Sequence, residues 1–257
     1  MIISSRQHPL VQLARSLHRA KGRRESGLFL IEGRNAVEAA LRTDFLIREV
    51  LADENERELS ELALDKGLVV RRATPEILAY ASEAQSALPI LALGEIPAPR
   101  EADFPDFTLV LDQISDPGNV GTLWRAADAA GVGGVLSVGG ADAWSPKVVR
   151  SAAGSLFHLP PLESSNEAPE AAISRLRAGN VAIISAQAHG APSCFDFEWP
   201  QRAALVLGHE TRGISAAFES AADFSVSIPV FGRAESLNVA MAGTVLLFAW
   251  AQGRAGR

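Results

Sequence analysis

The feature that most limits how this chain can fold is a set of short, unbroken apolar runs separated by helical stretches. In the C-terminal half these are FTLVLDQI (107–114), GVLSVGG (134–140), VAIISAQ (181–187), AALVLGHE (203–210) and FSVSIPV (224–230). A strand wetted on one face alternates apolar and polar residues, whereas runs apolar on both sides of the pleat belong to a parallel sheet covered by helices on both faces. Helical patterns fall between the runs: from Asn119 onward, over 145–157, over 170–179, in a short turn after 213, and over 236–252. The fold class is therefore α/β with a mostly parallel sheet. Such sheets bind ligands beyond the carboxyl ends of their strands. The loops after Ile114, Ala186, Leu207 and Ile228 are the places to look.

The N-terminal part alternates in the same way. Helices are expected over 9–20, 35–43, 54–67 and 74–83, with strands over 28–33, 47–53, 68–73 and 88–95, which makes a small α/β unit. The stretch EIPAPREADFPDF (95–107) carries three prolines and reads as an extended linker. The expected organisation is a domain over 1–97, a linker over 98–106 and a second domain over 107–257.

With 257 residues, 47% of them hydrophobic, the chain is long enough to bury a sizeable core. A basic leader followed by an apolar segment is missing, as is any apolar run of transmembrane length, so a cytoplasmic protein away from membranes is expected. The single cysteine, Cys194, has no intrachain partner, and without a His/Cys cluster no metal site is expected.

The net charge of −6 hides an asymmetry: residues 1–42 hold eight Lys/Arg against three acids, giving +5. The densest part is RSLHRAKGRR (15–24). Arg15, Arg19, Lys21, Arg23 and Arg24, with Arg34 further on, could meet nucleic-acid phosphates; composition alone fits a solvated helix face and loop equally well.

Each loop, taken singly, has a bland reading. DPGN (116–119) is a tight strand-to-helix connection in which Asn119 can cap the helix. Arg125 lies off the apolar stripe formed by Val120, Leu123, Trp124 and Ala127, under two turns from Asn119, and can either pair with Asp128 or grip a phosphate bidentately. VLGHETRGIS (206–215) has glycines that permit close approach around Glu210. In IPVFGRAESLNVAMAG (228–243), Ser236 or Asn238 can open a helix that is apolar almost all round and so must be buried in the fold, at a subunit interface, or both.

Together, in order and spacing, DPGNVGTLWRAADAAG, LVLGHETRGIS and IPVFGRAESLNVAMAG resemble the three signature motifs of the SpoU (TrmH-like) branch of the SPOUT RNA methyltransferases. The N-terminal SLHRAKGRRESGLFLIEGRNAVEAAL resembles the substrate-recruiting domain that precedes many SpoU catalytic domains. The resemblance implies a C-terminal SPOUT domain threaded as a deep trefoil knot, a rare exception to unknotted chains, behind a small α/β substrate-binding domain. It implies S-adenosylmethionine as cofactor, a homodimer formed through the C-terminal domain, and methyl transfer to a ribose 2'-hydroxyl of RNA. Ribosomal RNA is favoured over transfer RNA on the character of the N-terminal domain.

Carried over by motif, the catalytic set is Asn119, Arg125, Glu210, Ser236 and Asn238. The family proposes that the matching arginine orients a substrate phosphate or acts as an unusual base; the orienting role is favoured because a guanidinium resists deprotonation. The cofactor is expected against Ala186, Gln187, Leu207, Gly208, Ile228 and Leu237, through backbone groups and apolar walls. This chain departs from the common pattern at Ala240, at His209 and in its PVFG. None of these removes a carried-over catalytic residue. A non-catalytic RNA-binding assembly factor is disfavoured by the intact motif residues, and a nucleotide-dependent oxidoreductase by the lack of a GxGxxG fingerprint.

Overall fold

The computed structural model describes residues 2–82, 88–98, 104–162 and 168–255. Most of the expected linker, 99–103, lies outside them. The elements in order are β1 (Ile2–Ile3), α1 (Pro9–Ser16), α2 (Ala20–Ser26), β2 (Leu28–Glu32), α3 (Arg34–Leu41), β3 (Ile47–Ala52), α4 (Glu58–Asp65), β4 (Val70–Ala73), α5 (Pro75–Ser82) and β5 (Ile90–Glu95). There follow β6 (Phe107–Asp112), α6 (Pro117–Ala129), β7 (Gly134–Val138), α7 (Pro146–Ser151), α8 (Ser155–His158), α9 (Pro169–Ala178), β8 (Ala182–Gln187), β9 (Ala203–Leu207), α10 (Ala216–Ala221), β10 (Phe224–Ser227) and α11 (Val239–Ala255). They form two compact units. One comprises Met1–Ala98 with Trp144–His158, the other Pro99–Ala143 with Leu159–Arg257.

The first unit is built on a mixed sheet of order β1-β4-β3-β5-β2, in which β5 runs antiparallel to both of its neighbours. The helix expected over 9–20 stops at Ser16, and α2 starts afresh at Ala20. Residues 144–158, expected to belong with 107–257, fold with this unit instead. The cause is aromatic: Trp144 and Phe157 pack with Phe29 and Phe45, with ring centroids 4.6 Å apart for Phe29 and Trp144 and 5.1 Å for Phe45 and Phe157. Arg150 also donates to the buried Glu32 carboxylate at 2.6 Å. The single helix expected over 145–157 is broken into α7 and α8 because Ala153 and Gly154 take φ of 50° and 100°.

The second unit carries the sheet β10-β8-β9-β6-β7, parallel throughout. This is the arrangement the continuous apolar runs demanded. Val110, Leu136, Ile183, Ala204 and Val206 from its strands join Ala172 and Leu176 of α9 and Phe218 of α10 in one buried cluster. Helix α11 packs on α6 through Gly243, where a Cβ would stand 2.3 Å from the Leu123 side chain and 2.6 Å from that of Leu207. Trp250 stacks on Phe107 with centroids 4.0 Å apart. Not all of α11 is covered: Met241 and Phe248 are 65% and 49% exposed. Among the described residues no helix is long and apolar enough to cross a membrane.

Candidate active site

In the second unit the carboxyl ends of β6, β8, β9 and β10 bring four loops together. At the end of β6, the fully buried Asp112 accepts a hydrogen bond from Ser215 N at 2.6 Å, which ties this strand to the start of α10. Gln113 then turns the chain with φ 59°, and α6 begins at Pro117. Its N-cap is Asp116, whose Oδ1 accepts from Asn119 N at 2.9 Å. The expected cap, Asn119, is therefore displaced: proline is favoured at the first helical position, which fixes the cap one residue before it. The Asn119 side chain is left available for other work. Its Nδ2 donates to Glu210 Oε1 at 2.9 Å, and its Oδ1 accepts from Asn238 Nδ2 at 3.2 Å.

Glu210 sits at the tip of a tight loop after β9, closed by reciprocal backbone hydrogen bonds of 2.9 Å between His209 and Gly213. Gly213 takes φ 73°, and at Gly208 a Cβ would stand 2.3 Å from Gly213 C. Both positions exclude a side chain for stated geometric reasons. Partial burial pushes the Glu210 carboxyl up, but hydrogen bonds from Asn119, from its own amide and from the Asp116 and Ser115 amides outweigh burial and hold it below the ordinary 4.5. Glu210 is anionic at neutral pH, an acceptor that gathers the α6 entry loop.

That depression has a consequence for stability. A carboxyl whose folded-state value is lowered stabilises the fold at pH above its unfolded value and loses the effect as pH falls through the folded value. Glu210→Gln should therefore melt below the parent at neutral pH, with the gap closing as the pH is taken below 4.5. Thermal melts of both proteins across pH 3 to 7 check this; a gap independent of pH would mean that the charge is not what matters.

Asn238, rather than Ser236, caps α11: its Oδ1 accepts from Ala240 N at 2.9 Å and Met241 N at 3.3 Å. Asn119, Glu210 and Asn238 thus form one hydrogen-bonded chain across three motifs. Beside it lies a cavity of about 380 Å³, within the range of small-molecule sites. All six expected cofactor residues line it: Ala186, Gln187, Leu207, Gly208, Ile228 and Leu237. Glu210 and Ser236 line it too. Ala242 and Leu246 were not anticipated, although they follow Asn238 at helical spacing of four residues and so face the same way.

The cavity suits a nucleoside-bearing sulfonium: apolar walls come from Leu207, Ile228, Leu237 and Leu246, and Gly208 lets the two sides of the Glu210 loop close beside it. Arg125 is outside the network and outside the lining, exposed, with no hydrogen bond or ion pair among the described residues. Because α6 starts at Pro117, Arg125 lies in its third turn, about 12 Å along the axis, deeper than the sequence suggested.

The expected RNA-binding residues of the first unit fare differently. Arg19, Lys21 and Arg24 are exposed. Arg23 is not a surface cation: it is 3% exposed, and its Nη1 donates to Leu17 O at 2.6 Å, which makes it structural. Arg15 lies over the Tyr80 ring, 4.7 Å from the centroid, and donates to Tyr80 O. Arg34 is held by Glu56 and by Glu58, the latter at 2.6 Å. Among the described residues no group of three or more metal-ligating side chains comes together.

A parallel α/β sheet with a cavity at its carboxyl edge and an anionic, amide-bridged rim defines a small-molecule-binding α/β class of site. The SpoU rRNA Methylase family model matches residues 106–248 and the MRM3-like substrate binding domain model matches residues 8–92; the chain belongs to the SpoU rRNA methylase family. It is 36% identical to the 23S rRNA (uridine(2479)-2'-O)-methyltransferase of Streptomyces viridochromogenes, over 96% of this chain and 90% of that one. It is 34% identical to the 23S rRNA (guanosine(2553)-2'-O)-methyltransferase RlmP of Bacillus subtilis, over 96% and 97%. Among solved structures it superposes on the SpoU methyltransferase AviRb of S. viridochromogenes in complex with AdoMet, with TM-score 0.87, 29% identity, and 97% and 99% of the two chains covered.

Proposed function

We propose that the protein is an enzyme that transfers a methyl group from S-adenosylmethionine to a ribose 2'-hydroxyl of ribosomal RNA. The observation that carries this reading is the Asn119–Glu210–Asn238 chain at the rim of a cavity lined by all six expected cofactor residues. The relatives named as 23S rRNA 2'-O-methyltransferases and the AdoMet-bound neighbour support it.

The cofactor supplies an electrophilic methyl group; the protein must orient a weakly nucleophilic hydroxyl and assist loss of its proton. Backbone groups at Ala186, Gln187, Leu207 and Gly208 hold the cofactor, with Ile228 and Leu237 as apolar walls. Glu210, anionic, fixes Asn119 and the start of α6; Asn119 in turn holds Asn238, and Ser236 offers a hydroxyl to the cavity. Arg125 binds a substrate phosphate with its planar fork and holds the ribose in line. The test is incubation of the protein with unmodified 23S rRNA and methyl-labelled S-adenosylmethionine, followed by mapping of 2'-O-methyl sites, with transfer RNA as a parallel substrate. Label on transfer RNA alone would overturn the ribosomal assignment, and label on neither RNA the enzymatic one.

The finer features are also our inference. A knotted C-terminal chain is supported by β9 lying between β6 and β8 and by the tie of Cys194 N to Ser227 O at 2.8 Å, which draws the loop after β8 across the end of β10. A homodimer through the C-terminal domain is supported by exposed Met241 and Phe248 on α11 and by a shallow apolar groove where Phe248 meets Phe195. A cytoplasmic location follows from a ribosomal substrate. The domain over 1–97 recruits RNA and that over 107–257 catalyses, with residues 144–158 as the catalytic sequence's contribution to the first unit.

For the basic patch, the argument contracts to Arg19, Lys21 and Arg24. Replacing these three by alanine should weaken RNA binding and reduce the magnitude of the slope of log K against log salt by about 2, from about 0.7 per neutralised phosphate on single strands. Filter binding at several salt concentrations reads the slope; an unchanged slope would leave the patch a solvated surface.

A further inference from the structure

In the second unit one large apolar side chain stands out. Phe231 is 94% exposed, the most of any among the described residues, on the loop from β10 to α11. The same loop sends Ile228, Val230, Ser236 and Leu237 to the cofactor cavity. The ring is therefore displayed beside the cavity and takes no part in lining it. Its neighbours Gly232, Arg233, Ala234 and Glu235 are small or polar and all exposed. The loop's other exposed apolar side chains, Val230 and Leu237, line the cavity, so Phe231 differs from the α11 patch, where Met241, Phe248 and Phe195 give an apolar expanse of the kind that pairs with another protein surface.

Two cations stand on the loops around the cavity. Arg233 is two residues away, and Arg212, from the loop that carries Glu210, lines the cavity. Both are exposed and make no hydrogen bond or ion pair among the described residues. Free guanidinium groups beside an exposed aromatic face are what unpaired RNA is recognised by: bases stack on rings, and cations meet the backbone between them. The substrate ribose must reach the cavity mouth, so a base adjoining that ribose is the group available to cover Phe231.

We propose that Phe231 is a stacking platform for an RNA base at or next to the methylated nucleotide, with Arg212 and Arg233 engaging the adjoining phosphates. The site takes single-stranded RNA, because a base must leave its helical stack to lie on the ring. This rests on the methyl-transfer reading for its location, but its test does not depend on turnover.

The experiment compares Phe231→Ala, Phe231→Leu and Phe231→Trp with the parent in three measurements: affinity for an unmodified 23S rRNA transcript by filter binding, S-adenosylmethionine affinity by calorimetry, and oligomeric state by sedimentation. Alanine and leucine should each weaken RNA binding about tenfold, within the range for one stacked base, while tryptophan keeps parental affinity. Cofactor affinity and oligomeric state should not move. Unchanged RNA affinity in Phe231→Ala overturns the proposal. So does rescue by leucine equal to that by tryptophan, which would mean a merely apolar contact, and so does dissociation of the alanine variant into smaller species, which would make Phe231 a subunit contact. Failure of the methyl-transfer reading itself shows separately, as a parent protein that binds RNA and labels none.

Discussion

Arg125→Ala should lower the rate of methyl transfer by about 10²- to 10³-fold, the range for removing one preorganised hydrogen-bond donor from a reacting centre, and leave S-adenosylmethionine affinity at the parental value. The two halves of this expectation come from different observations. Arg125 does not line the cavity, so cofactor binding has no reason to change. It is exposed on α6 without a partner among the described residues, so its removal breaks no contact that holds the fold. Alanine is also the best helix former, and the melting temperature should hold or rise slightly. A guanidinium that helps neither stability nor cofactor binding, yet stands in the motif helix behind Asn119, is free for the phosphate-binding role proposed above. Arg125→Lys should recover only part of the rate, because an ammonium offers a point charge in place of a two-pronged fork. Single-turnover rates with saturating cofactor, alongside calorimetric affinity, separate the two halves. Full turnover by the alanine variant would remove Arg125 from the mechanism.

How much of this was legible in the sequence depended on how local the determinant was. The parallel sheet and the cavity were legible because continuous apolar runs end in Gly, Pro and Asn, and those endings are where such sheets bind ligands. The six positions expected to hold the cofactor came from the resemblance to the SpoU motifs; the strand ends after Ala186, Leu207 and Ile228 account for most of them meeting in one cavity. The cap of α6 was misassigned within a stretch where two good cap residues, Asp116 and Asn119, compete, and the Asp-Pro pair that decides between them was present in the sequence. The error hid the role of Asn119 as the bridge between Glu210 and Asn238. Arg23 could not have been read correctly from its neighbours. A basic run is solvated unless the chain turns one member inward, and that turn depends on α2 starting anew at Ala20 and presenting Arg23 to Leu17 O. The packing of residues 144–158 with the first unit was hidden for a similar reason: the aromatic partners Phe29 and Phe45 are about a hundred residues away, and no local pattern announces them.

Gly208→Ala should abolish measurable cofactor binding with little change in the sequence's chemistry, since a single methyl group is added. No positive φ calls for glycine at 208, so the constraint is space alone. The new Cβ would stand 2.3 Å from Gly213 C, 2.3 Å from Ile214 N and 2.4 Å from Gly213 O, and all three are backbone atoms that cannot swing aside as a side chain would. Something larger must move, and what can move is the loop from 208 to 214. Opening it breaks the His209 and Gly213 backbone pair, carries Glu210 away from Asn119 and the Ser115 and Asp116 amides, and strains the tie between Ser215 N and buried Asp112. Leu207, Gly208 and Glu210 all line the cavity, so its wall is displaced as well as its rim. Overpacking of this kind costs about 1 to 3 kcal/mol, a lowering of melting temperature the fold should survive, whereas S-adenosylmethionine affinity should fall at least a hundredfold because several contacts are lost together. Gly253→Ala is the matched control: it adds the same methyl group in the same unit, where the nearest atom would be an ordinary 3.6 Å from the new Cβ, and it should bind cofactor as the parent does. If Gly208→Ala bound cofactor like this control, the close approach of the two halves of the Glu210 loop would not be what shapes the site.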